Sequence, residues 1–292
     1  MAIKESELIL NPSGSIYHLD LKPEDIADTI ITVGDQNRVD AVAKYFDEIT
    51  FETQKREFKT KTGYFNGKKL TVISTGIGTD NIDIVINELD ALANIDLHTR
   101  TIKEEKQQLQ FIRIGTSGSL QKEVPIDHFV ASTGGVGFDG LLHYYEHTNV
   151  LNETTTQALI THLNDSPKKA EPYVVDADSA LVQKFKEEKH PLLHFGLTGT
   201  NIGFYGPQGR VLRLPLSKLN FIDSLASFSF QNEKITNLEM ETSAIYALSK
   251  LLGHHALSIN AIIANRATGR FSKNPKDLID QLIQFVLQTL TK

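Results

Sequence analysis

The chain has no cysteine and no tryptophan, and only two methionines and nine prolines among its 292 residues. Without cysteine there is no disulfide framework, no thiolate metal site, no iron–sulfur cluster and no cysteine nucleophile. That fits a reducing compartment. No apolar run reaches the roughly 18 residues that cross a bilayer. The opening Met1-Ala2-Ile3-Lys4-Glu5-Ser6-Glu7-Leu8 lacks the basic-then-apolar pattern of an export signal. A cytoplasmic protein with no membrane partner is expected. Excess positive charge is missing too: 30 Lys+Arg face 36 Asp+Glu, a net charge of −6. Such a chain is a poor general binder of nucleic acid, and an anionic substrate must meet a local cluster of cations instead. The phosphate-loop pattern G-x-x-x-x-G-K-[ST] is absent, which counts against a kinase or ATPase. Repeats, low-complexity tracts and Pro/Gly/Ser-rich linkers are absent as well, so residues 1–292 are read as a single domain.

What remains is 40% hydrophobic and 23% charged, enough to bury a substantial core. Short apolar runs alternate with helix-period segments. Strands are expected at Thr29–Val33, Leu70–Ser74, Phe111–Gly115, His128–Ser132, near Leu193, and at Ala256–Ala264. Helices are expected at Val39–Phe46, through Ile82, Ile86, Leu89 and Leu92, at Glu239–Leu252, and through Leu278, Leu282, Val286 and Leu290. Asn66-Gly67 marks a hairpin. The polar segment from Leu97 to Gln110 reads as a solvated helix extension or loop. The alternation predicts an α/β fold, one layered domain with a central mixed β-sheet flanked by helices. In such sheets ligands sit beyond the carboxyl ends of the strands, where this chain has Gly-rich polar turns.

Three constellations stand out. Gly34 offers an unshielded backbone N–H, and Arg38 follows one helical turn later. Arg113 lies inside an apolar strand, where a guanidinium must be partnered or face a ligand, and Thr116 and Ser117 follow in a Gly-flanked turn. Two guanidiniums with N–H and O–H donors suit a phosphate dianion; the bland alternative pairs Arg113 with a buried carboxylate. Second, Glu239-Met240-Glu241 is placed at the head of a helix. There, residues two apart lie about 200° apart, so the carboxylates are not expected to act together. One of them can accept from a diol; charge at a helix start is the bland reading. Third, Gln208 and Arg210 sit in the Gly/Pro-rich Phe204–Arg210 loop, where an amide plus a guanidinium suits an imide edge. Otherwise the segment is a surface turn.

Two further patterns are set aside. Gly135-Val136-Gly137-Phe138-Asp139-Gly140 matches G-x-G-x-x-G, but the strand is not the first of the chain and a weak helix opener follows. His143-Tyr144-Tyr145-Glu146-His147 matches H-x-x-E-H with nothing else pointing to a metal.

Together these segments resemble the nucleoside phosphorylase family along nearly the whole chain. Gly34-Asp35-Gln36-Asn37-Arg38-Val39 resembles its G-D-x-x-R-V loop, Arg56-Glu57-Phe58 its R-E-F segment, and Ser74-Thr75-Gly76-Ile77-Gly78 its S-T-G-I-G turn. Arg113 to Gly118 resembles R-I-G-T-[ST]-G, and Glu239-Met240-Glu241 the E-M-E ribose motif. Tyr17-His18-Leu19 and the Phe204–Arg210 loop resemble the uridine-cleaving branch, and Ile262–Arg266 lacks the Ser-Asp pair with which purine phosphorylases protonate the base.

The resemblance implies phosphorolysis of uridine or a close pyrimidine nucleoside to uracil and ribose 1-phosphate. Phosphate is then a co-substrate and there is no cofactor. It implies phosphate binding by Gly34, Arg38, Arg56, Arg113 and Thr116, ribose binding by His18, Glu239, Met240 and Glu241, and base binding by Phe204, Gln208, Arg210 and Ile263. His18 and Arg56 act across an interface, implying a homodimer or homohexamer with shared sites. Apart from a monovalent-cation position near Glu57, Ile77 and Asn81, no metal is implied. The chain departs from many relatives in having Thr79-Asp80-Asn81 where they have Gly-Pro-Ser, which brings a carboxylate near the phosphate turn. The Leu97–Gln110 insert and the Thr148–Leu193 stretch are places where assembly or a lid can differ. The rival readings are a nucleosidase using water, a purine nucleoside phosphorylase, and a weakly catalytic nucleoside-binding protein.

Overall fold

The structure, a computed structural model, describes residues 2–147, 149–163, 171–217 and 220–292. Thr148 and residues 164–170, part of the Thr148–Leu193 stretch, lie outside the described residues. The chain opens with β1 (Thr29–Val33), α1 (Gln36–Ala43), β2 (Glu48–Lys55), β3 (Phe58–Phe65), β4 (Lys68–Ser74) and α2 (Thr79–Asn94). A small hairpin, β5 (Ile95–Asp96) and β6 (Thr101–Ile102), precedes β7 (Gln110–Ser119) and β8 (Phe129–Gly137). Next come α3 (Glu153–His162), β9 (Tyr173–Asp176), α4 (Ser179–Glu187), β10 (Leu193–Thr200) and α5 (Phe221–Ser227). The chain ends with β11 (Ser229–Phe230), β12 (Glu233–Glu239), α6 (Thr242–Leu251), β13 (His255–Asn265), β14 (Arg270–Phe271) and α7 (Pro275–Leu290).

Apart from the β5–β6 hairpin, the described strands form one mixed sheet in the order β11-β12-β10-β8-β13-β7-β1-β4-β3-β2, with β14 added on β13 and β9 on β8, flanked by helices. It closes partly on itself, because β12 also pairs β7 antiparallel through Asn237↔Ser119 and Leu238↔Gly118. The circuit β12-β10-β8-β13-β7 is thus a small barrel, and the C-terminal ends of β7 and β12 cross at its rim. The α/β layering was legible as an alternation of apolar and helix-period runs. Closure was not, because it depends on a pairing between strands more than a hundred residues apart.

Asn66 and Gly67 make the expected hairpin between β3 and β4, both with positive φ (50° and 76°), as a tight two-residue turn requires. The last helix presents Leu278, Leu282, Ile283, Val286 and Leu290 to a buried cluster that includes Ile112, Ile114, Leu257 and Ile259. Each such side chain contributes on the order of 1.5–3 kcal/mol when fully buried.

Several sequence expectations need correction. The strand expected to end at Gly115 continues to Ser119, so Thr116 and Ser117 lie within β7 rather than in a turn; β13 runs beside them as an adjacent parallel partner. The polar Leu97–Gln110 insert begins with the β5–β6 hairpin and is otherwise largely exposed. Glu239 ends a strand and Glu241 caps α6, so the two are not successive helical residues. Gly135 and Gly137 lie within β8, and a Cβ on either would meet Ser243 or the Tyr173 ring, so their smallness serves packing.

Candidate active site

The carboxyl ends of β1, β7 and β12, the Phe204–Arg210 loop and the end of β13 enclose a cavity of about 300 Å³. At one part of its wall, Gly34 and Asp35 follow β1 and Arg38 projects from the first turn of α1. The Asp35 side chain caps α1 by accepting from the Asn37 N–H at 3.0 Å, so the positive end of that helix lies at the cavity. Arg38 is half-buried and donates to the Ile114 carbonyl at 3.3 Å. Among the described residues no carboxylate lies within ion-pair distance of it. Burial and the neighbouring Arg113 charge hold its pKa below the ordinary arginine value, a field that an added anion would relieve.

Arg113 also lines the cavity, but it is not free. Its Nη2 donates to Glu241 and lies 3.3 Å from Glu239, and its Nη1 donates to Asn260 Oδ1 at 2.7 Å. The buried-carboxylate alternative therefore holds for this guanidinium, which faces the cavity while ion-paired. Burial works against its charge, but Glu241 and Glu239 outweigh that and raise its pKa. Burial and Glu239 in turn push the Glu241 carboxyl above the usual range, against the opposing pull of Arg113. Thr116, Ser117 and Gly118 complete this side.

Both carboxylates converge on Arg113, contrary to the helical expectation, because a strand-to-helix corner replaces helical spacing. Glu239 is also a hub: it accepts from Thr200 Oγ1 at 2.7 Å and from the Glu241 and Thr242 N–H groups at 3.0 Å. It thereby satisfies donors that the start of α6 would otherwise leave open. Glu241 Oε1 accepts from the Gly78 N–H at 2.8 Å, which ties α6 to the Gly-rich turn after β4. Met240 lines the cavity between them.

The third part of the wall carries Phe204, Gln208, Arg210 and Ile263, all four of the residues expected at a base. Arg210 stacks its guanidinium on Phe204, 3.8 Å from the ring centroid, and its Nη1 donates to Gln208 Oε1 at 2.7 Å and to the Phe204 carbonyl at 2.6 Å. Burial and the nearby Arg266 lower the Arg210 pKa. Arg266, whose role sequence reasoning missed, donates to the Gln208 and Gly209 carbonyls and clamps the loop. Backbone acceptors leave no mark in a sequence, so no signal pointed to it. Phe271, on β14 and 62% exposed, also lines the cavity and was missed.

His18 and Arg56 are not on this cavity's wall. His18 Nδ1 lies 2.5 Å from Glu88, which also accepts from the His18 and Leu19 N–H groups. Arg56 occupies the β2–β3 turn with φ 55°, its carbonyl accepting from Gln36 Nε2 at 2.7 Å and its guanidinium near the Tyr17 ring. Glu57 and Asn81 each pack close to Gly76, while Ile77 lines the cavity and Asp80 is exposed outside its lining. His143 Nε2 and His147 Nδ1 lie within hydrogen-bonding reach of the Glu171 and Tyr145 carbonyls. Among the described residues no cluster of three or more His, Cys, Asp or Glu side chains is arranged to hold a metal ion, and no helix is long and apolar enough to cross a membrane.

Residues 28–290 match the Phosphorylase superfamily. A uridine phosphorylase of Thermococcus kodakarensis is 29% identical over 266 residues, spanning 89% of this chain and 81% of that protein. A guanosine phosphorylase of Halorubrum lacusprofundi is 24% identical over 285 residues, 94% of this chain and 97% of the relative. A nucleoside phosphorylase of Trypanosoma brucei, described as showing uridine phosphorylase activity, superposes with a TM-score of 0.88 at 28% identity, covering 97% of this chain and 99% of that one. The chain belongs to the phosphorylase superfamily and is a pentosyltransferase of the nucleoside phosphorylase family.

Proposed function

We propose that the protein cleaves uridine, or a close pyrimidine nucleoside, with inorganic phosphate to give uracil and ribose 1-phosphate. The observation that carries this reading is the Gln208–Arg210 pair on the wall of the cavity that also holds Arg38, Arg113 and Glu241. A uracil ring offers two carbonyls and an N–H along one edge. An amide next to a guanidinium supplies matching donors and an acceptor, and Phe204 gives a face for stacking.

In this reading phosphate lies against Arg38, Arg113, the Gly34 N–H and Thr116. Glu241 accepts from the ribose 2′- and 3′-hydroxyls, Met240 lies beneath the sugar, and Glu239 fixes the corner. The bond from C1′ to the base nitrogen breaks, its electron pair leaves with uracil, and a phosphate oxygen bonds to C1′. Charge developing on the uracil carbonyls meets Gln208 and Arg210, while the cationic sugar lies between the phosphate and Glu241. The protein positions reactants and stabilises charge rather than relaying protons. His18 and Arg56, off the cavity wall in one chain, are supplied by a neighbouring copy in a homodimer or homohexamer.

The guanosine phosphorylase relative supports a purine-cleaving reading. Against it, the Ile262–Arg266 segment carries no Ser-Asp pair, and the residues by which it lines the cavity, Ile263 and Ala264, have no proton to give a leaving base. The test is base release followed by ultraviolet absorbance, from uridine and from guanosine, with and without phosphate. Uracil release only with phosphate is the expected result. Equal release without phosphate would make the protein a nucleosidase, preference for guanosine a purine enzyme, and tight binding without turnover a nucleoside-binding protein.

A further inference from the structure

Arg113 reaches two carboxylates through one nitrogen and a single neutral acceptor, Asn260, through the other. Asn260 is fully buried and lies outside the cavity lining. The strand register sets it beside Gly115, over which the guanidinium is folded. Its amide is itself oriented: Asn260 Nδ2 donates to Ser258 Oγ at 3.2 Å, which also accepts from Thr242 Oγ1 at 2.8 Å. The Ser258 N–H in turn donates to the Tyr246 hydroxyl at 2.8 Å, and that hydroxyl donates to the Ser132 carbonyl at 2.8 Å. A buried chain of hydrogen bonds from α6, β8 and β13 therefore ends on the back of the one cavity-lining guanidinium that is ion-paired among the described residues.

We infer that Asn260 is a positioning residue that holds the Arg113 guanidinium off full collapse onto Glu239 and Glu241 and keeps it available to the phosphate. Two carboxylates beside one guanidinium leave an excess negative charge, which disfavours a second anion. A carbonyl acceptor on the far side fixes Nη1 without adding to that charge. An aspartate at 260 would hold the same place but add a third carboxylate. The requirement is thus for an acceptor that is neutral, which separates Asn260 from the acidic partners. This inference rests on the phosphorolytic reading above.

The test is steady-state phosphorolysis by intact Asn260→Ala and Asn260→Asp proteins, varying phosphate and uridine separately, with thermal melting as the control for folding. Asn260→Ala loses the acceptor and is expected to raise the phosphate KM about tenfold, the effect of losing one charge-assisted hydrogen bond, with the uridine KM within about twofold. Asn260→Asp keeps the shape and is expected to raise the phosphate KM at least as much. A phosphate KM within about twofold of the parent in either variant would overturn the inference, as would equal rises in both KM values, which mark a general structural role. If the parent protein releases uracil equally without phosphate, the phosphorolytic reading fails and this inference with it. Phosphate dependence in the parent with an unaltered Asn260→Ala sinks this inference alone.

Discussion

The Arg113 guanidinium lies directly over Gly115, so close that a Cβ on the glycine would fall 1.6 Å from Nη1 and 2.4 Å from Asn260 Oδ1. Gly115 is not among the residues with positive φ, so its small size, not its backbone freedom, is what the position needs. A strand normally alternates its side chains, and Arg113 and Gly115 share one face. The missing side chain two residues on gives the long guanidinium a place to lie flat and reach from β7 to β13.

Gly115→Ala is accordingly expected to displace the guanidinium from both Asn260 and the cavity. Its phosphate KM should rise by about tenfold or more, because the contact is charge-assisted. Kinetics with varied phosphate, alongside a thermal melt, check this. An alanine variant with unchanged phosphate KM would mean the guanidinium has another resting place of equal value.

Glu239→Ala removes an acceptor that serves two backbone donors at the start of α6 and the Thr200 hydroxyl at the end of β10, as well as Arg113. The expected loss of stability is about 1–3 kcal/mol, typical of buried donors left unsatisfied. Urea unfolding measures it. Glu239→Gln keeps an acceptor at the corner and should retain most of the stability.

Arg210→Ala is expected to abolish turnover of pyrimidine nucleosides while leaving phosphate binding unchanged, which titration calorimetry with inorganic phosphate reports. Arg266→Ala should act more mildly, raising the uridine KM with little change in the phosphate KM, because Arg266 grips the carbonyls of Gln208 and Gly209 rather than lining the cavity itself. Unaltered uridine kinetics in Arg210→Ala would remove its base-reading role.

A mixing experiment addresses the shared-site proposal. Arg56→Ala and Arg113→Ala are each expected to be inactive alone. After co-refolding, random pairing in a two-fold dimer restores about a quarter of the sites, since half the dimers are mixed and each carries one intact site. Activity no higher than that of the separate variants would place Arg56 in its own chain's chemistry or nowhere in it.

A pH effect comes from outside the cavity. His128 Nδ1 and His194 Nε2 lie 2.9 Å apart between β8 and β10. Burial lowers the pKa of both, and the His128 charge lowers it further at His194; Asp127 offsets the effect of burial only partly at His128. The folded state thus prefers neutral rings, and their contribution is present above the ordinary histidine value and is lost as pH falls through the lowered one. Stability to urea should decline on acidification below about pH 6.5, and His194→Asn should flatten that decline. An equally steep decline in the variant would assign it to other groups.

Local pattern by itself determined the alternation of strands and helices, the Asn66-Gly67 hairpin, the core stripe of α7, and the membership of most of the cavity. Gly34, Arg38, Arg113, Thr116, Gln208 and Arg210 were identifiable because polar, charged or glycine residues stood in apolar or Gly-rich surroundings, whereas Phe204 and Ile263 were expected at the site only through the family resemblance. Only the tertiary structure decided which partner each charge has. Glu239 and Glu241 meet Arg113 across a corner, Asn260 meets it across a strand register, and Arg266 grips carbonyls that every residue possesses. The barrel closure through β7 and β12 belongs to the same class. Residue type and spacing encode propensity along the chain. The pairing of a buried charge depends on which distant strand arrives beside it, and that is settled only when the whole sheet closes.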